Sequence, residues 1–260
     1  MTAVTPVGVL RSEWTKLRSL RSTVWTLLAA VGLMVGIGGL QASTSVDQYA
    51  DPAEARADHV DAVSVSLNGV SFAQLAIGVL GVLMISGEYG TGLIRATLAV
   101  VPRRLPVLWA KLAVFAGVAF AVSLAGSVVS FLVGQRVLRA HDLDVGLGAP
   151  AALRSVVGAA LYLTVGGLIG LALGALLRNT AAGISTFTAA FFLLPPLFQA
   201  LPASLERHVV PYLPSYAGEA LYRDYSGLDW LSPWPGFAVL CAYAVVMVAL
   251  AAWRLLRNDA

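Results

Sequence analysis

The chain reads as an all-α, polytopic membrane protein. The reading comprises six transmembrane helices, an amphipathic N-terminal helix at the membrane interface, and both termini in the cytoplasm. Three observations predict it. Hydrophobic residues make up 58% of the 260 residues, charged residues only 12%, and mean hydropathy is +0.79. An average soluble domain is nearer half apolar and a quarter charged. The apolar residues gather in six runs that contain no Asp, Glu, Lys, Arg or His. The remaining charges sum to opposite signs on the two sides that those runs define. Too few charges remain to coat a soluble surface, which excludes an ordinary cytosolic enzyme, a disordered tail and a nucleic-acid binder. The single cysteine, Cys241, excludes a disulfide framework within the chain and a multi-cysteine metal site.

Residues 1–23 form the entry segment. Leu10, Trp14 and Leu17 recur at i, i+4 and i+7, while Arg11, Lys16 and Arg18 occupy other faces. That pattern predicts an amphipathic helix lying in the interface. The six-span domain occupies 24–256. A helix crossing ~30 Å of hydrocarbon needs about 20 apolar residues. The spans are expected at about 24–41, 67–86, 112–134, 155–177, 180–201 and 236–253. Continuous apolar runs, rather than alternating ones, exclude a β-barrel. Leu40-Gln41-Ala42 resembles a cleavage site, but the long polar lead and long apolar run make the first span an uncleaved helix. The acidic joint 42–66 fits no EF-hand or zinc spacing and reads as a solvated loop.

Joint 87–111 is too polar to cross a bilayer, yet partly apolar, which suits a short helix touching another protein. Gly87, Gly90 and Gly92 permit a sharp exit from the second span, and Pro102 is expected to end the short helix. Small residues recur every fourth position in span three (Ala113, Gly117, Ala121, Ala125) and span four (Gly166, Gly170, Gly174). They are candidate helix-packing positions. Pro195 and Pro196 are expected to break the end of span five. The stretch 202–235, rich in proline and aromatics, is expected to form short outer interfacial helices.

Six spans put both termini on one side. Eleven basic residues against three acids give that side a net +8; six against eleven give the other −5. Basic joints stay inside, so the termini are expected in the cytoplasm, facing anionic lipid.

The chain has two lysines, Lys16 and Lys111, and neither sits in a GxxxxGK[ST] phosphate loop. The spans lack the buried charges of an ion-coupled carrier. The histidines, His59, His141 and His208, fall in outer joints. No catalytic residue, metal site or cofactor site is therefore expected in this chain.

The joint carries a recognisable motif. Gly87, Glu88, Tyr89, Gly92, Arg95, Thr97, Leu98, Pro102, Arg103 and Arg104 match a pattern written roughly GEY-x-TG-x-IR-x-TL-x-x-x-PRR, with Thr91 in place and Leu93 at a hydrophobic position. Gly90 departs from it, since a basic residue is usual there. On these residues, and on the entry segment RSEWTKLRSLRST, the chain resembles the ABC type-2 permease family of bacterial exporter membrane subunits. The resemblance implies a multi-pass subunit of the bacterial cytoplasmic membrane, paired with a second copy or a sibling permease. It also implies two copies of a separate cytosolic ABC ATPase, which would hold the ATP and Mg. Segment 87–111 would be the coupling element, with Glu88, Tyr89, Thr91, Gly92, Arg95, Pro102, Arg103 and Arg104 as its candidate residues. Apolar spans suit a hydrophobic or amphipathic cargo. An ATPase-independent carrier or channel, and a non-transporting scaffold, are the competing readings.

Overall fold

The computed structural model describes residues 5–48, 61–93, 104–199, 203–225 and 230–257. Among them every regular element is helical. Helix α1 spans Pro6–Ser19. The Thr5 hydroxyl caps it by accepting from the Gly8 amide at 3.2 Å. Leu20 is extended and breaks the helix for one residue, after which α2 runs over Arg21–Gln48.

Helix α1 packs one stripe inward and leaves another exposed. Val9, Glu13 and Leu17 are buried, whereas Leu10 and Trp14 stay exposed. Val9 meets Val107 and Ala110 of the helix that follows the joint. The exposed stripe is the more apolar of the two. The inward stripe is chosen because it delivers a carboxylate to a buried lysine, described below.

Short α3 (Ala62–Ser66) begins at Asp61, whose carboxylate accepts from the Val63 amide at 3.0 Å. Helix α4 spans Val70–Gly90 and α5 spans Arg104–Leu138. With 35 residues α5 is about 52 Å long at ~1.5 Å per residue, well beyond the hydrocarbon thickness. Helix α6 spans Pro150–Leu177 and ends on Arg178, whose left-handed conformation returns its amide to the Gly174 carbonyl. Asn179 then caps α7, Thr180–Thr188.

Pro195 and Pro196 do not break this fifth apolar helix. A π-helical segment, Ala189–Leu193, follows α7, and α8 continues over Leu194–Gln199. A proline ring collides with the carbonyl four residues back in an α-helix. For these two prolines that residue is Phe191 or Phe192, inside the wider π turn. Helix α9 (Ala203–Val209), a 3-10 turn and α10 (Pro214–Glu219) follow, and α11 spans Pro233–Arg257.

Among the described residues six helices are long and apolar enough to cross a membrane. The helix holding the first expected span starts at Arg21, and the one holding the third starts at Arg104, each earlier than its apolar run. Helix α6 lies at the centre, with 78% of its most apolar stretch buried against 22% for the first, fifth and sixth. It packs on α4, α5 and α11. Its seam with α4 is made of glycines. A Cβ at Gly174 would stand 2.6 Å from the Val82 carbonyl oxygen, and one at Gly170 would collide with the Gly78 carbonyl. Gly166 meets only the Gln74 side chain, at ordinary contact distance. Gly117 of α5 has open space, and Ala113, Ala121 and Ala125 share its exposed face.

Candidate functional site

The last turn of α4 carries Glu88, and α5 carries Lys111. These two residues flank the joint, and the fold brings their side chains together. Lys111 Nζ donates to Glu88 Oε1 at 2.9 Å and to Glu13 Oε2 at 2.5 Å. Lys16 Nζ donates to Glu13 Oε1 at 2.8 Å and to Glu88 Oε1 at 3.1 Å. Both lysines of the chain thus sit in one network with two glutamates, contributed by α1, α4 and α5. Lys111 and Glu13 are each only 1% exposed. A lone buried ammonium is very costly, so the pairing is what lets Lys111 occupy that place.

Burial by itself pushes the Glu13 carboxyl upward. The charge of Lys111 and hydrogen bonds from both lysines outweigh it and hold Glu13 below its ordinary value. Burial likewise lowers Lys16, but its hydrogen bond to Glu13 and the charges of Glu88 and Glu13 leave it raised. Both shifts favour the charged forms of Glu13 and Lys16.

Around the network the motif residues hold distinct positions. Tyr89 is half-buried, with the Arg178 guanidinium 5.1 Å from its ring centre. The Thr91 hydroxyl donates to the Gly87 carbonyl at 2.9 Å, closing the end of α4. Gly92 has φ +73°, a left-handed turn that glycine adopts without strain. It redirects the chain out of α4. Arg95, Pro102 and Arg103 lie outside the described residues, and of Arg104 the backbone opens α5. On the same end the Arg254 side chain donates to the Leu176 carbonyl, tying α11 to the end of α6.

Sequence reasoning picked out Glu88 and missed its partners. Lys111, Glu13 and Lys16 were visible as nearly all the lysine and acid of the basic side: Glu13 and Glu88 are two of its three acids. Nothing in the spacing, however, says that residues 98 positions apart meet.

The opposite end of the bundle carries a second polar cluster. Glu219 accepts from Ser71 at 3.1 Å and from Tyr225 at 3.0 Å, with Arg223 Nε 3.2 Å away. Arg223 also donates to Asn68 at 2.6 Å. Nearby, the Tyr162 hydroxyl donates to Gln74 deep between α4 and α6. The residues after α9 fold back here and seat their charges against the ends of α3 and α4.

Residues 9–194 match the family model described as ABC-2 family transporter protein. The match starts inside α1, includes the network and the joint, and ends as α8 begins. No curated protein matches the chain.

Proposed function

Because the chain belongs to the ABC-2 family of membrane transporters, we propose that it is the permease subunit of an ATP-driven exporter. In this reading it sits in the bacterial cytoplasmic membrane with both termini inside. It works as a pair, with a second copy or a sibling permease. Two copies of a cytosolic ABC ATPase bind ATP and Mg and dock against segment 87–111. The cargo is hydrophobic or amphipathic. Helix α1 lies in the inner interface, with exposed Val7, Leu10 and Trp14 against lipid and Val9, Glu13 and Leu17 against the bundle.

The observation that carries the reading is the four-charge network across the joint. A segment that transmits motion needs both of its ends anchored to what must move. Glu88 and Lys111 anchor the two flanks to each other, and Glu13 and Lys16 extend the anchor to α1. When the ATPase pair closes on nucleotide, the docked segment moves. The network then passes the displacement to α1, to the long α5 and, through α4, to the glycine seam with α6. The energy comes from nucleotide.

The test is co-expression with cytosolic ABC ATPase subunits. The expected result is a stable complex whose ATP hydrolysis drives transport in proteoliposomes. Glu88→Gln is expected to keep insertion and ATP hydrolysis while transport is lost. Failure to associate with any ABC ATPase would overturn the reading. Transport without an ATPase would instead identify a self-contained carrier.

A further inference from the structure

A cavity of about 630 Å³ lies between α1, the start of α2 and the second half of α4. That volume is within the range of pockets that hold small organic ligands. Leu17 and Leu20 wall one side, and Leu80, Leu83 and Met84 the other. Leu80, Met84 and Glu88 follow one another at four-residue spacing on α4, so the wall extends about 12 Å from its apolar end to the carboxylate at ~1.5 Å per residue. Thr26 also lines the cavity. Its hydroxyl donates to the Ser22 carbonyl at 2.9 Å and is therefore already satisfied.

The polar end is incomplete in one respect. Glu88 is only 8% exposed and lines the cavity, and its Oε2 is buried with no hydrogen-bond partner among the described residues. A buried acceptor of this kind calls for a donor. Lys111 and Lys16 already donate to two carboxylate oxygens each, with Oε1 as their target on Glu88. The formal charges of these four side chains cancel, so a group that brings a hydrogen and no charge suits the place. A cation there meets two ammonium groups, and an anion meets two carboxylates.

We infer that this cavity binds an uncharged amphiphile with a hydroxyl or amide head. The apolar tail lies along Leu80, Leu83 and Met84, and the head donates to Glu88 Oε2. The cavity and the unpartnered oxygen carry the site by themselves; only the question of whether its occupant is cargo rests on the exporter reading.

The experiment uses two photoreactive probes in phosphatidylcholine nanodiscs, whose headgroup has no hydrogen-bond donor. One probe is a dodecyl alcohol with a mid-chain diazirine, and the other is its methyl ether. Labelled residues are mapped by mass spectrometry. The alcohol is expected to label residues 17–26 and 80–88 about fivefold more than the ether, roughly what one net hydrogen bond is worth. Glu88→Leu is expected to erase that preference. Thr26→Trp, which fills the tail space and leaves the network whole, is expected to remove labelling by both probes. Equal labelling by alcohol and ether, or labelling that Thr26→Trp leaves unchanged, overturns the inference. In the complex with ATPase, stimulation of ATP hydrolysis by the alcohol identifies the occupant as cargo. Saturable labelling without stimulation identifies it as a resident lipid, with the site intact in either case.

Discussion

The two ends of the bundle each hold a cluster of paired charges, but they are built differently. At one end Glu13, Lys16, Glu88 and Lys111 come from three helices and bracket the joint. Their central pair, Lys111 and Glu13, is sealed from solvent at 1% exposure. At the other end Glu219, Arg223 and Tyr225 come from one folded-back segment and lean on Ser71 and Asn68. There the Arg223 side chain is 26% exposed, as is Lys16 in the first set, but its partner Glu219 keeps 11% exposure where Lys111 and Glu13 keep 1%. The first set joins elements distant in sequence across a segment proposed to move. The second closes a loop onto the end of its own bundle. A sealed network is all-or-none, since removing one member strands the others without water. A wetter cluster degrades gradually.

The largest expected effect tests that difference directly. Lys111→Met removes the buried cation between Glu13 and Glu88, leaves both carboxylates to share half-buried Lys16, and is expected to cost about 3–5 kcal/mol of stability. Thermal unfolding in micelles measures it. A loss no larger than that of a surface substitution removes the distinction between the two ends.

The second expected effect is a titration. Glu13 has a folded pKa below its ordinary 4.5, so its contribution is complete above pH 4.5 and is lost as pH falls through the folded value. Lys16 is raised above 10.5, so its share is complete below pH 10.5 and fades only as pH rises through its folded value. Unfolding midpoints are expected to stay level across the neutral range and drop in acid. Glu13→Gln should remove part of that acid drop. An unchanged acid limb in the variant would place the responsible carboxylates elsewhere.

At the opposite end Glu219→Gln is expected to cost about 1–3 kcal/mol, because Arg223 keeps Asn68 and Ser71 as acceptors. A loss equal to that of Lys111→Met would show this end to be as tightly sealed as the first. The smallest expected effect is Tyr225→Phe. It removes one hydrogen bond to Glu219 and should shift stability by about 0.5–1.5 kcal/mol. Unfolding midpoints compared within one preparation resolve it.

Much of the architecture was legible because the solvent imposes it. Apolar runs free of charge have to be helical where no water satisfies the backbone, and they announce themselves by length. The motif around Glu88 was legible as well, and Gly92 takes the sharp turn its lack of a side chain permits. The small-residue pattern was legible only in part. It occurs equally in α5 and α6. In α6 Gly170 and Gly174 meet the backbone of α4, while in α5 Gly117 faces open space. Fourfold spacing says that a face is smooth, and it does not say what covers it. The entry helix shows the same gap. Leu10, Trp14 and Leu17 marked an apolar stripe, and the spacing did not say that Leu17 packs inward with Val9 and Glu13 while Leu10 and Trp14 stay exposed. The continuation through Pro195 was not legible either, because a π turn spreads its accommodation over the residues before the proline.

The sequence alone therefore determined what local composition and the membrane dictate: six apolar helices, a polar joint with a motif, and the sign of charge on each side. The tertiary structure decided which charges meet. Hydrophobicity acts residue by residue and leaves its mark along the chain. A buried ion pair depends on contact between groups 23, 72 or 98 residues apart, and only packing brings them within 3.1 Å.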